Sequence, residues 1–284
     1  MPETDGVQVS TRGMMMTARD NFSKHYFVGA NTFMLDIFKN NKEQLGVSAN
    51  NFDKTIERTR ENLQSAATVS IGNTSMNNGS LNFDVNVINN SGHKLPGGYP
   101  ARRVYLHTTI IDSNGSIVFE SGKLNSDGSI VGVDSDASAN SYEAHHNLVT
   151  SAEQVPVYEA IMANSQGQLT YTLMNGASYL KDNRLLPTGF DKNIVDVKIK
   201  PSSDAILDNN FTAGQDMVSY QIPVQGTAPY TINVALNYQA LAYRYAQDLF
   251  QDVNSHEYVK VFKTLYDNAN IRKETIHSTS SIVP

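Results

Sequence analysis

The hydrophobic period of this chain changes twice, and that change limits what it can fold into more than any other feature. Residues 14–67 read as helical. "NTFMLDIFKNNKEQLG" sets Phe33, Met34, Ile37 and Phe38 at helical spacing, with Asn31 or Thr32 as N-cap and Gly46 as stop. "SANNFDKTIERTRENLQSAATV" repeats the plan with Phe52, Ile56, Thr59, Leu63 and Ala66 on one face. Two helices this short need another surface to pack on. Near Val69 the period falls from about 3.6 residues to about 2. "SLNFDVNVINN" alternates Leu81, Phe83, Val85 and Val87 against Asn82, Asp84 and Asn86, which makes a strand with one buried face. Turn signals at 112–115 and 164–167 break the following stretches into hairpins. "NIVDVKIK", "DMVSYQIPV" and "YTINVALNYQ" add three more strands. From about Tyr243 the helical period returns, with Leu241, Tyr245, Leu249 and Phe250 on one face, then Val259, Phe262 and Leu265 on another behind a Ser255 cap.

The expected fold is therefore mainly β, an antiparallel β-sandwich of Ig-like type flanked by helices at both ends. Its expected divisions are an N-terminal helical segment over 1–68, a sandwich over 69–239 and a C-terminal helical segment over 240–284. The two helical segments should pack on each other or on one end of the sandwich. With 284 residues there is enough chain for one large core. There is no βαβ alternation and no glycine-rich phosphate loop.

Composition removes several chemistries. Cysteine is absent, which excludes disulfides, thiolate metal sites, a cysteine nucleophile and covalent haem attachment through CxxCH. The net charge is −6 and no Lys/Arg run leaves a nucleic-acid footprint. No apolar run approaches the roughly 20 residues of a transmembrane helix. The start, "MPETDGVQVSTRG", lacks the basic-then-apolar pattern of a signal peptide. No GxSxG elbow occurs, and "DSDASANSYE" lacks the spacing of an EF-hand.

One stretch stands apart. "NNSGHKLPGGYPARRVYLH", residues 89–107, puts His93 in a loop too rich in proline and glycine for a regular strand, and His107 in the strand that follows. On that strand His107 shares a face with Tyr105 and Thr109, while Val104, Leu106 and Ile110 face the other way. His145 and His146 follow in "SYEAHHNLV"; being adjacent, only one can join any one site. Imidazoles from separate loops are the usual way to hold a transition metal without cysteine. His93, His107, His145 and His146 are thus candidate metal ligands, although no HxH, HExxH or HxxxH spacing accompanies them. The competing reading for His93 is a hydrogen bond to a backbone carbonyl that tacks the loop down.

Five stretches, "HYFVGANTF", "NNSGHKLPGGYPARRVYLH", "NGSIVFESG", "YEAHHNLV" with "QVPVYEAIM", and "YLKDNRLLPTGFDK", together resemble the C-terminal, β-rich, haem-free region of a family of bacterial multihaem c-type cytochromes. The resemblance spans roughly residues 20–245. It implies an exported protein, periplasmic or extracellular, of an anaerobically respiring bacterium. It also implies a role packing on a haem domain. The chain departs from that family in having no cysteine, so haem is expected in a parent or partner chain and none is attached here. His25 matches a family histidine and is the candidate distal haem ligand. The resemblance gives His93 no assigned role. Asp182 and Arg184 are expected to pair, with Asn183 holding a turn.

Three functions compete on this reading. The first is a non-catalytic accessory domain of a multihaem electron-transfer protein, with a haem-bearing domain or redox protein as partner. The second is an exported sandwich that binds glycan or protein through its loops. The third is a mononuclear metal site on His93, His107 and one of His145 or His146. The chain is not read as an enzyme.

Overall fold

The computed structural model describes residues 3–10, 17–24 and 26–284. Two short strands, Glu3–Thr4 (β1) and Phe22–Ser23 (β2), pair ahead of helices Thr32–Asn40 (α1) and Phe52–Ala66 (α2). Among the described residues of the stretch read as helical, 14–67, the helices are α1 and α2. Asn21 and Phe27 adopt φ of 55° and 51°, and a right-handed helix cannot run through that conformation. The Asn31 side chain accepts from the Met34 amide at 2.9 Å and caps α1. Gly46, at φ 63°, closes the loop behind it.

The central strands are Ala67–Asn77 (β3), Ser80–Asn89 (β4), Arg103–Ile111 (β5) and Ile117–Ser121 (β6). A single helical turn, Asp134–Ala137 (α3), and four short strands follow: Leu148–Val149 (β7), Val157–Tyr158 (β8), Ala160–Ala163 (β9) and Leu169–Thr170 (β10). Then come Ser178–Asp182 (β11), Gln215–Pro223 (β12), Tyr230–Gln239 (β13), helices Tyr243–Phe250 (α4) and Glu257–Asp267 (α5), and Glu274–Val283 (β14).

These strands make two principal sheets. One has the order β3-β4-β12-β7, the other β14-β13-β5-β6 with β8 added on β5. All pairs are antiparallel except β7 on β12. Register aligns the apolar positions: Phe83 opposes Tyr220 and Val85 opposes Val218, while Leu106 opposes Leu236 and Ile110 opposes Ile232. These side chains share one buried core. Phe83 and Tyr220 stack with ring centroids 4.7 Å apart, and Thr108 Oγ1 crosses from the other sheet to donate to the Tyr220 hydroxyl at 3.2 Å. Each fully buried side chain of this kind contributes about 1.5–3 kcal/mol. The expected mainly β antiparallel fold is the one observed, with a small further sheet, β10-β9-β11.

The helical segments pack together. Phe33 and Ile37 of α1 share a cluster with Ala246 and Phe250 of α4 and with Leu265 and Tyr266 of α5. Two readings need correction. The segment 240–284 is not helical throughout, because Glu274–Val283 forms β14 and pairs along β13. Its alternation is carried by Thr and Ser in place of large apolar residues. "NIVDVKIK" is not a strand but a run of turns. Asp191 and Asp196 accept from the amides of Asn193 and Lys198 at 2.8 and 2.9 Å, and such local bonds compete with a sheet ladder. Ile194 and Val197 are left 82% and 80% exposed.

Candidate functional site

At the end of the sandwich where β4 stops, a cleft of about 940 Å³ opens beneath the 90–102 loop. Its wall comes from separated parts of the chain: Val28–Ala30 before α1, the last turns of α2 from Asn62 to Ala66, the 90–102 loop, residues between Tyr179 and Ile199, and Tyr238 of β13. Its lining carries four cationic side chains, Lys94, Arg102, Arg184 and Lys198, and no carboxylate. On a chain of net charge −6 that is a local reversal of sign.

The loop is built in from below. Asn89 is buried at the end of β4. Its Nδ2 donates to the carbonyls of His93, Leu185 and Leu186 at 2.9, 3.1 and 3.1 Å. Its Oδ1 accepts from the Ser91 amide and hydroxyl. Leu95 and Leu185 exchange two backbone hydrogen bonds at 2.9 and 2.8 Å, and both side chains are buried in the core. Arg102 Nη1 donates to the Gly97 carbonyl at 2.7 Å. The long loop therefore folds back onto the 185–186 segment and is tied to it.

Asp182 organises the charges. It receives Lys94 Nζ at 2.7 Å and both Nε and Nη2 of Arg184 at 2.7 Å. Burial alone would raise the Asp182 carboxyl, but Arg184 and Lys94 outweigh it and hold the group below its ordinary value. Burial lowers the Lys94 ammonium despite Asp182. The expected Asp182–Arg184 pair is present. Asn183 does more than hold a turn: it accepts from the Glu159 amide at 2.9 Å and donates to the Val157 carbonyl at 2.8 Å and to His145 Nδ1 at 3.1 Å.

The candidate histidines are dispersed. His93 is exposed on the cleft wall, with Nδ1 at 2.8 Å from the Lys94 carbonyl. His107 lies on the outer face of β5, with Nε2 at 3.0 Å from Glu120; Val104, Leu106 and Ile110 face the core as the alternation requires. His146 contacts Glu143 at 2.6 Å. His145 is buried with Asp208 and Asp216, and ligand atoms of the three lie within 4.8 Å of one another. This is the only such group among the described residues, and none of His93, His107 and His146 belongs to it. His25 lies outside the described residues.

The His145 group has a firm internal logic. Asn183 is oriented by Glu159 and Val157 so that its NH₂ faces His145 Nδ1, which makes Nδ1 an acceptor. Nε2 then carries the proton and donates to Asp208 Oδ2 at 3.1 Å. A metal ligand would need that nitrogen bare. Burial pushes Asp208 up, but the bonds from His145 and nearby amides outweigh it and leave the carboxyl low. Burial raises Asp216, whose Oδ2 accepts from Tyr158 at 2.7 Å. The arrangement is a polar clamp between the 145 loop, the 208 loop and the start of β12. Asp208 and Asp216 carry no sequence signal near the histidines; only the fold brings them there.

No family model matches the chain, and no curated protein matches it. Among solved structures, a penta-heme cytochrome c552 from Thermochromatium tepidum aligns over 79% of this chain and 41% of its own, at 14% identity and a TM-score of 0.42.

Proposed function

We propose that the chain is a non-catalytic accessory module of a multihaem c-type electron-transfer protein, and that the cationic cleft receives the haem-bearing partner. One observation carries this reading. Three of the stretches on which the cytochrome resemblance rests, around Val28, at 89–107 and at 179–192, lie far apart in sequence but wall the same cleft.

The cleft also fits what it would receive. Its volume lies within the roughly 300–1,000 Å³ of sites that hold cofactor-sized molecules. Four cations against the single buried carboxylate of Asp182, which takes Lys94 and Arg184, leave the cleft net positive and suit the propionates of a haem edge. Leu95, Pro187, Phe190 and Tyr238 give it apolar wall. Ile194 and Val197, a few residues before the lining residues Lys198 and Ile199, stand exposed on turns. A bound c-type haem supplies one-electron transfer; this chain supplies the seat, the counter-charges and the exclusion of water. An exported location, periplasmic or extracellular, belongs to the same proposal.

The test is to isolate the native protein with an antibody to this chain and record its pyridine haemochrome spectrum. A c-type spectrum in stoichiometric amount is expected, in the same polypeptide or in a stable complex. A colourless native protein would overturn the proposal and favour a glycan- or protein-binding sandwich.

A further inference from the structure

We infer that His93 is an axial ligand held ready for a haem iron presented in the cleft. The inference rests on the docking reading above. It begins with a tautomer. Nδ1 of His93 is 2.8 Å from the Lys94 carbonyl oxygen. A carbonyl oxygen can only accept, so Nδ1 carries the proton and Nε2 keeps its lone pair. A ring N–H given to a backbone carbonyl is the usual support behind a histidine that binds a metal, because it fixes both tautomer and ring orientation.

The other described candidates lack this state. His107, His145 and His146 place Nε2 on Glu120, Asp208 and Glu143 at 3.0, 3.1 and 2.6 Å. Among these four histidines, His93 alone has Nε2 free of a carboxylate, and it alone lines the cleft.

The ring is also seated. A Cβ placed on Gly97 would lie 3.1 Å from both Cε1 and Nδ1 of His93, so the imidazole rests directly against the glycine backbone. The His93 carbonyl accepts from Asn89 Nδ2 at 2.9 Å and from Ser91 Oγ at 3.0 Å. Backbone and side chain are thus both fixed while the ring stays exposed. Ordering that would otherwise oppose ligation is already done in the free protein. A loop-borne imidazole of this kind supplies the second ligand of a bis-histidine haem whose first histidine comes from elsewhere.

The probe is a ferric c-type haem peptide with one histidine ligand and an open sixth position, titrated into the intact chain. Quenching of tyrosine fluorescence reads docking, and the visible spectrum reads the spin state of the iron. With the natural chain, saturable quenching and conversion from high to low spin are expected. With His93→Ala, quenching should remain but the low-spin conversion should be lost, and added imidazole should restore it. His93 is exposed, and an unchanged circular dichroism spectrum would confirm that the variant folds. Low-spin conversion that persists in His93→Ala overturns the ligand assignment and leaves the docking reading intact. So does quenching by the natural chain with no spin change. Absence of quenching by the natural chain overturns both.

Discussion

Replacing Asn89 should loosen the cleft from beneath, and the order of two substitutions tests the reason. The Asn89 amide has two hydrogens shared among three carbonyls, and its oxygen accepts two bonds from Ser91. Asn89→Ala removes all of these. Each carbonyl keeps another donor: Leu95 N for Leu185, Gly214 N for Leu186 and Ser91 Oγ for His93. No acceptor is therefore left wholly unpaired. Four net bonds at about 0.5–1.5 kcal/mol each, with partial recovery by those partners, give a loss of about 2–3 kcal/mol. Asn89→Asp keeps the shape but turns an oxygen toward three carbonyls and buries a charge. It should cost more than alanine, about 3–5 kcal/mol, although it is the smaller change in volume. The aspartate variant should partly recover as the pH falls into the carboxylate range, because protonation restores one donor. Urea unfolding of the intact chain, followed by circular dichroism and tyrosine fluorescence, measures both; tryptophan is absent. A loss below about 0.5 kcal/mol for alanine, or an aspartate variant as stable as the natural chain, would refute the argument.

Asp136→Asn should destabilise by about 3–5 kcal/mol in the same assay, because it strips a bidentate partner at 2.8 and 2.7 Å from the fully buried Arg103. Wild-type-like unfolding would show that Gln239 alone satisfies that guanidinium. Asp182 should also shape the acid limb of stability. Its folded pKa lies below the ordinary 3.8, so its contribution is present above that value and is lost as the pH falls through the folded one. Asp182→Asn should lower stability at neutral pH by about 1–3 kcal/mol, discounted for partly exposed partners. It should also flatten the loss below about pH 4. Urea midpoints taken across that range would contradict this if both proteins fell in parallel.

The strands of the core were legible because their inward residues are large and apolar. Leu81, Phe83, Val85 and Val87 alternate with polar neighbours and are all buried. β14 was not legible, because Thr279 and Ser281 stand where a reader looks for valine, opposite the buried Val234 and Ile232, and only pairing with β13 makes it a strand. Residues 193–200 misled in the opposite sense. Val195, Val197 and Ile199 alternate well enough with Asp196 and Lys198, but two aspartates turn the backbone, and among the described residues no neighbouring strand receives it. The 89–107 stretch stood apart by its residue types and does line the cleft, and the Asp182–Arg184 pair could be read from local spacing. The state of His93 could not, since it depends on where the Lys94 carbonyl points. Nor could the cleft's charge, which comes from Lys94, Arg102, Arg184 and Lys198 on segments up to about 100 residues apart brought together by Asn89 and the Leu95–Leu185 bridge.

The central claim is that the cleft is the face that meets a haem-bearing partner, and amide hydrogen exchange tests it most directly. The comparison is between this chain alone and the same chain within the native haem-loaded protein. Slower exchange confined to residues 28–30, 62–66, 90–102 and 179–199 is the predicted result, because these segments wall the cleft. Protection that falls instead on the outer edges at β6 or β14, with those segments unchanged, would contradict it.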